Sequence, residues 1–415
     1  MSIQETRIIL KNIGKIDPRN IDEYISASGY KGLKKALTMK PAEVFEEVMA
    51  SGLRGRGGAG FPSGLKQKFT SESRPGLKQR YVVVNADEGE PGTFKDRVIM
   101  EQDPHIYLEG AIIAAYAIQA SMVYIYIRGE YQESIRNSQK AIDDAYAKGI
   151  LGKGIMGTDF DCEMEIKLGA GSYLCGEELT MLESLEGKRG NPRIKPPFPA
   201  EIGVFKKPTL VNNVETLANL PAIIAHGKDW YRSMGTEDSP GTKIFTISGQ
   251  VNKPGYYEVA MGITLQQLLD LCGGMRDGRT FKAALLGGAA GTFVDASMLN
   301  EQMTFDNLQK KGATLGSGAV MIFAEDDSLY DMLHNCLRFF KHESCGKCVP
   351  CRVGTTMLVK KADDLRNGHP DKEKLLADMV RDAEMMAGTS LCFLGQSPVL
   401  PLKSAARYFS KELIG

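Results

Sequence analysis

A chain of 415 residues with 43% hydrophobic content can bury two or three cores, and three domains are expected. Its 51 basic and 51 acidic side chains cancel and are interspersed, which argues against a nucleic-acid backbone or an anionic membrane surface as partner. The start, MSIQETRIIL, lacks the long apolar core and small-residue cleavage site of an export signal, so a cytoplasmic location is expected.

Residues 21 to 50 read as helical, with Pro41 opening a helix and Gly52 closing it. LRGRGGAGFPSGLKQKF follows. Gly55, Gly57 and Gly60 spell G-x-G-x-x-G, but a helix precedes them where a dinucleotide motif needs a strand, and no Walker A sequence is present. Gly55, Gly57, Gly58, Gly60 and Gly64 still require a reason, because residues without Cβ lose the most freedom on folding. Close approach of backbone N–H groups to phosphates or flat rings supplies one. Arg54, Arg56, Lys66 and Lys68 add positive charge, so an anionic cofactor is expected, the alternative being a mobile surface loop.

YVVVNADEGEPGTFKDR predicts a buried strand over Tyr81–Val84 that empties into a loop with Asn85, Asp87, Glu88 and Glu90. Carboxylates there would repel a phosphate and suit sugar or ribityl hydroxyls; a solvated acidic turn is the other reading. The uncharged run Gly110–Ile127 contains Gln119, Ser121 and three tyrosines and changes period midway, which predicts a buried helix and then a strand, not a membrane span. A strand over Cys162–Leu168 leads through Gly169, Gly171 and Gly176 to a helix near Glu177, a second strand, glycine loop and helix. Glu177 and Glu178 suit the helix dipole even without a ligand. Lys195-Pro-Pro-Phe198-Pro should be stiff and extended, able to hold a cation and a ring over a cleft.

KIFTISGQVNKPGYYEVAMGITLQQLLDLCGG predicts two strands around a turn at Lys253–Gly255 and a helix from Thr264, with no catalytic constellation. Helical spacing returns at Asp327, where Cys336 falls among core positions, and continues over Thr355–Gly368, Lys372–Met386 and Leu402–Leu413. Within ESCGKCVPCRVGT, Cys345, Cys348 and Cys351 give three soft ligands in seven residues, read as one short loop, and Cys392 in TSLCFLG is the remaining downstream thiol. The spacing suits a [4Fe-4S] cluster, with zinc and inert thiols as alternatives. Lys347 and Arg352 would place positive charge beside it. Cys162, Cys175, Cys272 and Cys336 lie far apart and read as buried apolar side chains.

Together, GRGGAGFPSG, NADEGEPGTFKDR, CGEE with LEGKRGNPRIKPP, VNNVET, ESCGKCVPCRVG and TSLC resemble, in order, the NADH-oxidising flavoprotein subunit of respiratory complex I and its relatives in NAD-linked hydrogenases and formate dehydrogenases. The resemblance covers nearly the whole chain. It implies an α/β Rossmann-like FMN and NAD(H) domain over 1–238, an α+β ubiquitin-like β-grasp domain over 239–325, and a helical [4Fe-4S] domain over 326–415. By that likeness Gly55, Arg56, Gly57, Gly58, Gly60, Lys66, Asn85, Asp87, Gly176, Glu177, Asn212, Asn213 and Thr216 would hold FMN, with Glu88 and Tyr173 in the same cofactor-binding set. Phe61, Phe69 and Phe198 would stack the adenine, while Glu90, Glu178 and Lys195 would position the sugars, phosphates and nicotinamide. Glu90 facing the adenosine ribose would favour NADH over NADPH.

The implied reaction is hydride transfer from NADH to FMN, then single-electron transfer through the cluster, a task of placement that needs no catalytic side chain. None of the five histidines joins a catalytic motif. Partners implied are a thioredoxin-like [2Fe-2S] subunit and a larger iron–sulfur chain, with membrane association only through them. One alternative is the flavin subunit of an electron-bifurcating or NAD-reducing hydrogenase or formate dehydrogenase, although some such relatives carry extra cluster domains not found in this sequence. A second is a nonenzymatic nucleotide-binding scaffold with a structural metal.

Overall fold

The run Tyr81–Val84 has no polar residue to turn outward, and it forms the inner strand of a sheet covered on both faces. In the computed structural model, which describes residues 4–415, this strand is β1 (Tyr81–Ala86). Met1–Ile3, the head of the segment read for an export signal, lie outside the described residues. With β2 (Met122–Arg128), β3 (Glu163–Gly169) and β4 (Thr209–Asn213) it makes an all-parallel sheet in the order β3-β2-β1-β4. Val82 and Val84 enter one core, and Val83 enters the other with Tyr126 and Val211.

The expected helical stretch over 21–50 is three helices, α1 (Ile21–Ser26), α2 (Lys31–Ala36) and α3 (Pro41–Ala50). Ser28 and Tyr30 break it with left-handed backbone, φ 75° and 58°, and Gly29 between them lies on the Tyr24 ring, where a Cβ would come within 2.1 Å. The sheet is then flanked by α4 (Ser63–Glu72), α5 (Lys95–Gln102), α6 (Pro104–Ile118), α7 (Gln132–Ala147), α8 (Glu178–Leu185), α9 (Val214–Ala218), α10 (Leu220–His226) and α11 (Lys228–Arg232). Helix α6 is buried all round except at Tyr116. At Gly110 it meets α9 backbone to backbone, since a Cβ there would stand 1.9 Å from the Leu217 carbonyl oxygen. Among the described residues no helix is long and apolar enough to cross a membrane.

A second sheet combines β5 (Thr242–Gly249), β6 (Gly255–Ala260), β7 (Phe281–Leu286), β8 (Thr292–Val294) and β9 (Ala319–Ala324) in the order β6-β5-β9-β7-β8. Only the β5–β9 pair is parallel. Two helices belong to this unit, α12 (Leu265–Leu271), started by a Thr264 and Gln267 capping box, and α13 (Phe305–Lys310). Alternation along β7 divides two cores: Ala284 and Leu286 pack toward α12, while Ala283 and Leu285 pack toward the C-terminal helices.

Those helices are α14 (Leu329–Glu343), α15 (Val349–Arg366), α16 (Lys372–Thr389), the short α17 (Phe393–Gln396) and α18 (Val399–Ile414). Cys336 is buried in their core, as its helical spacing predicts. The structure corrects one expectation: α15 starts at Val349, so the cysteine run is part loop and part helix and not one short loop. Pro350 in its first turn suits a helix start.

Glu258 on β6 ties the chain's beginning to this sheet. Its buried carboxylate accepts the N–H groups of Ile8, Ile9 and Leu10 at 2.8–3.1 Å and the Thr242 hydroxyl at 2.6 Å. Burial pushes the carboxyl up to about 7, although those donors pull it down. A folded value above the unfolded one means that this group's contribution to stability is full below about pH 4.5 and is lost as pH rises through about 7. Glu258→Ala should strand the three N–H groups at a penalty on the order of 3 kcal/mol, so amide exchange at Ile8–Leu10 should accelerate roughly a hundredfold, and exchange at the wild-type rate would show that the segment is held otherwise.

Candidate functional site

The connections from β1 run one way to β2, while β4 lies on the other side of β1. Strand order therefore reverses between β1 and β4, and a crevice opens beyond their carboxyl ends, the place where open α/β sheets bind ligands. The crevice is bordered by Asn85 near the end of β1 and Asp87 just after it, by Asn212 and Asn213 ending β4, and by the turn Tyr173–Gly176 after β3. The glycine loop closes on it: a Cβ on Gly57 would meet the Asn213 Cβ at 2.9 Å, and Arg56 N–H donates to the Thr216 hydroxyl at 2.8 Å. Gly58 and Gly60 hold φ of 143° and 64°, conformations that other residues rarely adopt.

The positive charge expected beside this loop is divided. Arg56 is buried and spent within the protein, donating to the Thr242 and Pro240 carbonyls and to the Tyr231 hydroxyl. Arg54 pairs with Asp306 at 2.8 Å, and Lys68 lies out toward Glu72. Lys66 and Lys195 remain, and both grip Glu178 at 2.9 Å, Lys195 also reaching Glu177 at 3.0 Å. Burial works to raise the Glu178 carboxyl, yet the two lysines outweigh it and hold the group down at about 2. The Lys195–Pro197 segment bends and does not extend as expected. Phe61, Phe69 and Phe198 keep 47%, 50% and 53% of their surface in solvent, available for stacking.

The acidic residues also take distinct places. Asp87 accepts no hydrogen bond from the described residues, and burial pushes its carboxyl up to about 7 against the pull of Arg128. Glu88 turns inward and takes the N–H groups of Asp96 and Arg97 at the start of α5, both at 2.9 Å; burial first, then Asp96, raises it to about 7. Glu90 accepts from the Tyr173 hydroxyl at 2.5 Å and from Ala290 N–H at 2.9 Å, joining the crevice to the second sheet. Asn85 donates to the Gly176 carbonyl, and Glu177 caps α8 through Thr180. Asn212 Nδ2 is buried without a partner among the described residues, an orphan donor where a ligand oxygen would satisfy it.

Four residues given no role from the sequence form the crevice floor. Lys95 pairs with Asp96 at 2.7 Å and Glu215 at 3.1 Å, and Lys243 of β5 pairs with Glu215 at 2.7 Å, all fully buried. Asn213 is fixed by this group, donating to Asp96 at 2.6 Å and accepting from Lys95 at 3.3 Å. Burial works against the Lys95 ammonium, but Asp96, Glu215 and Glu88 outweigh it and hold it above its ordinary range. Nothing in a one-dimensional pattern distinguishes these charges from solvated ones.

The cysteines form a second pocket. Cys345 follows α14, Cys348 caps α15, Cys351 lies in its first turn, and Cys392 stands at the start of α17, all packed on one small apolar cluster with Tyr173, Leu174 and Leu394. The backbone N–H groups of Leu394 and Gly395 favour the Cys392 thiolate, against the effect of burial. Burial raises the Cys351 and Cys392 thiols, the latter to about 11, and a bound metal would displace those protons. No group of three or more His, Cys, Asp or Glu among the described residues converges on a single-ion point. Four cysteines on one apolar patch supply soft sulfur donors, the ligand type of iron–sulfur clusters. Lys347 is not turned to the thiols as expected: it donates to the Pro192 carbonyl at 2.8 Å, while Arg352 donates to Gly346 at 2.7 Å.

The two pockets share a wall. Tyr173, in the crevice turn, packs its ring 4.8 Å from Phe339 and 5.6 Å from Phe393 beside the cysteines, and its N–H donates to Glu343 at 3.0 Å.

Comparison with known proteins agrees with this arrangement. Residues 48–222 match the family model of the Nuo51 FMN-binding domain, 331–414 that of the NADH-ubiquinone oxidoreductase-F iron-sulfur binding region, and 244–289 the SLBB domain. The chain is 44% identical to the F 2 subunit of the NADH-quinone oxidoreductase of Rhizobium meliloti (strain 1021), covering 98% of this chain and 96% of that one. It is likewise 44% identical to the HndC subunit of the NADP-reducing hydrogenase of Solidesulfovibrio fructosivorans, over 99% and 83%. Among solved structures, an NAD+-reducing [NiFe]-hydrogenase in the H2-reduced state superposes with a TM-score of 0.85 at 35% identity, over 99% of this chain and 67% of that one. With flavin and iron–sulfur regions in one chain and relatives matched over nearly their full length, the protein belongs to the F-subunit family of the NADH-quinone oxidoreductases.

Proposed function

We propose that NADH is oxidised in the crevice and that its electrons leave singly through a [4Fe-4S] cluster held by Cys345, Cys348, Cys351 and Cys392 toward an iron–sulfur partner subunit. The observation that carries this reading is the turn Tyr173–Gly176, which lines the crevice on one side and the cysteine pocket on the other. Bound FMN supplies acceptance of an electron pair and its release one electron at a time, and the cluster supplies single-electron carriage.

The chain's own contribution is placement. Gly57, Gly58 and Gly60 let the loop backbone approach a flat ring or phosphate, and the Asn212 amide and Asp87 carboxylate are free for ribityl hydroxyls. Lys66 and Lys195 exchange Glu178 for ligand phosphates. Phe61, Phe69 and Phe198 offer stacking faces to the adenine. Glu90 would meet a ribose hydroxyl with its two oxygens already accepting from Tyr173 and Ala290. We place domain boundaries at 1–238, 239–325 and 326–415, a division supported by the two sheets and the helical bundle, and assign the middle unit, a helix on a mixed sheet with an SLBB match, as β-grasp.

An exit for electrons is provided by α15, which starts beside Cys348 and exposes Val349, Val353 and Met357 at four-residue spacing, with Met385 of α16 also exposed. We assign this stripe to the larger iron–sulfur subunit; a thioredoxin-like [2Fe-2S] subunit completes the assembly, and membrane association comes only through partners. A second reading, the flavin subunit of an NAD(P)-linked hydrogenase, rests on the likeness to HndC and to the hydrogenase structure. Isolating the native complex and identifying its subunits decides between them.

Three outcomes test the site. Cys392→Ser should strip most of the iron and the broad visible shoulder while flavin remains; a variant with full iron would remove Cys392 from the ligand set. Lys66→Met should weaken FMN binding on the order of tenfold, about 1.4 kcal/mol, in a flavin-fluorescence titration. Val353→Asp should leave NADH-driven reduction of ferricyanide intact and cut electron delivery to the assembled complex several-fold; equal loss of both would place the stripe outside the partner interface.

A further inference from the structure

Two serine hydroxyls beside the cysteines have a proton to give and no oxygen or nitrogen acceptor for it among the described residues. Ser344 Oγ stands 3.2 Å from Cys351 Sγ, and because it accepts Gly346 N–H at 3.3 Å, its own proton is free for the sulfur. Ser390, two residues before Cys392, is only 9% exposed, and its hydroxyl has no partner among the described residues. It is also pinned against the site. A Cβ on Gly395 would stand 2.3 Å from Ser390 Oγ and 3.0 Å from Cys351 Cβ, so Ser390 and Cys351 press on the same glycine. A buried hydroxyl without an acceptor costs about 1–3 kcal/mol, and beside the aromatic and leucine side chains of this pocket stand four cysteine sulfurs.

Resting on the assignment of the cluster to these four cysteines, we propose that Ser344 and Ser390 donate hydrogen bonds to sulfur atoms of the bound cluster, Ser344 to Cys351 Sγ, and so raise its reduction potential. The reduced cluster carries one more negative charge than the oxidised one, and a fixed O–H dipole aimed at sulfur stabilises the more negative state more. Lys347 and Arg352 give their hydrogen bonds to the Pro192 and Gly346 carbonyls, so O–H donation to sulfur comes from the two serines.

The test is a redox titration, followed by electron paramagnetic resonance, of the cluster-loaded full chain carrying Ser344→Ala, Ser390→Ala or both. Each single variant should keep its iron and flavin, and at a fixed potential its ratio of reduced to oxidised cluster should fall three- to tenfold; tenfold is about 59 mV for one electron. The double variant should fall further, and Ser344→Thr, which keeps the hydroxyl, should return toward wild type. Wild-type potentials in both alanine variants would overturn the proposal. A second measurement needs no substitution: iron–sulfur stretching bands in resonance Raman spectra should shift in D2O, and bands that stay in place would overturn it equally. A wild-type chain that binds no iron would instead sink the cluster assignment, a separate failure.

Discussion

Two positive and two negative side chains, Lys95, Lys243, Asp96 and Glu215, meet out of water beneath the crevice. Removing such charges from solvent costs several kcal/mol each unless every one finds a partner, so the group holds only if all its members arrive together. They come from separate stretches of chain: the start of α5, the start of α9 and strand β5. Glu215 also takes Ile244 N–H at 2.9 Å, and Arg56 donates to Thr242 beside it. The glycine loop, the end of β4 and the second sheet are thereby fixed relative to one another before any ligand is present.

The loop after β1 shows why a second sheet is needed at all. Besides Glu90, it meets that sheet through Thr93, 2.5 Å from the Ser317 hydroxyl, and through the Gly92 carbonyl, which accepts from Thr246 at 2.7 Å. Residues rich in oxygen acceptors are used here to brace one unit against the next, which keeps Tyr173 between crevice and cysteines. A rigid shared wall suits electron transfer, where pocket separation matters more than any moving part.

Inside the crevice, charge is arranged to be exchanged. Glu177 and Glu178 together balance Lys66 and Lys195, so two ammonium groups wait in a partly buried site at little desolvation penalty. On the proposed reading an entering phosphate would replace one anion by another. The cysteine pocket follows the opposite rule, with apolar walls, few donors and four thiols, a setting in which single hydrogen bonds weigh heavily.

Much of this was legible from local pattern. The valine run of β1, the helix and strand inside Gly110–Ile127, the Thr264 cap and the ligand spacing of Cys345, Cys348 and Cys351 are set by side-chain period and chain reach, properties carried by neighbouring residues. What needed the tertiary structure was direction. Arg56, Glu88 and Lys347 stand in the expected motifs, yet their charged ends go to Pro240, to the start of α5 and to Pro192. The ionic floor, the approach of Cys392 to the other thiols and the idle Ser390 hydroxyl were likewise decided only there. The physical reason is that a long polar side chain can turn several ways from the same backbone, and the partner that selects one of them lies far along the chain, invisible until folding brings it close.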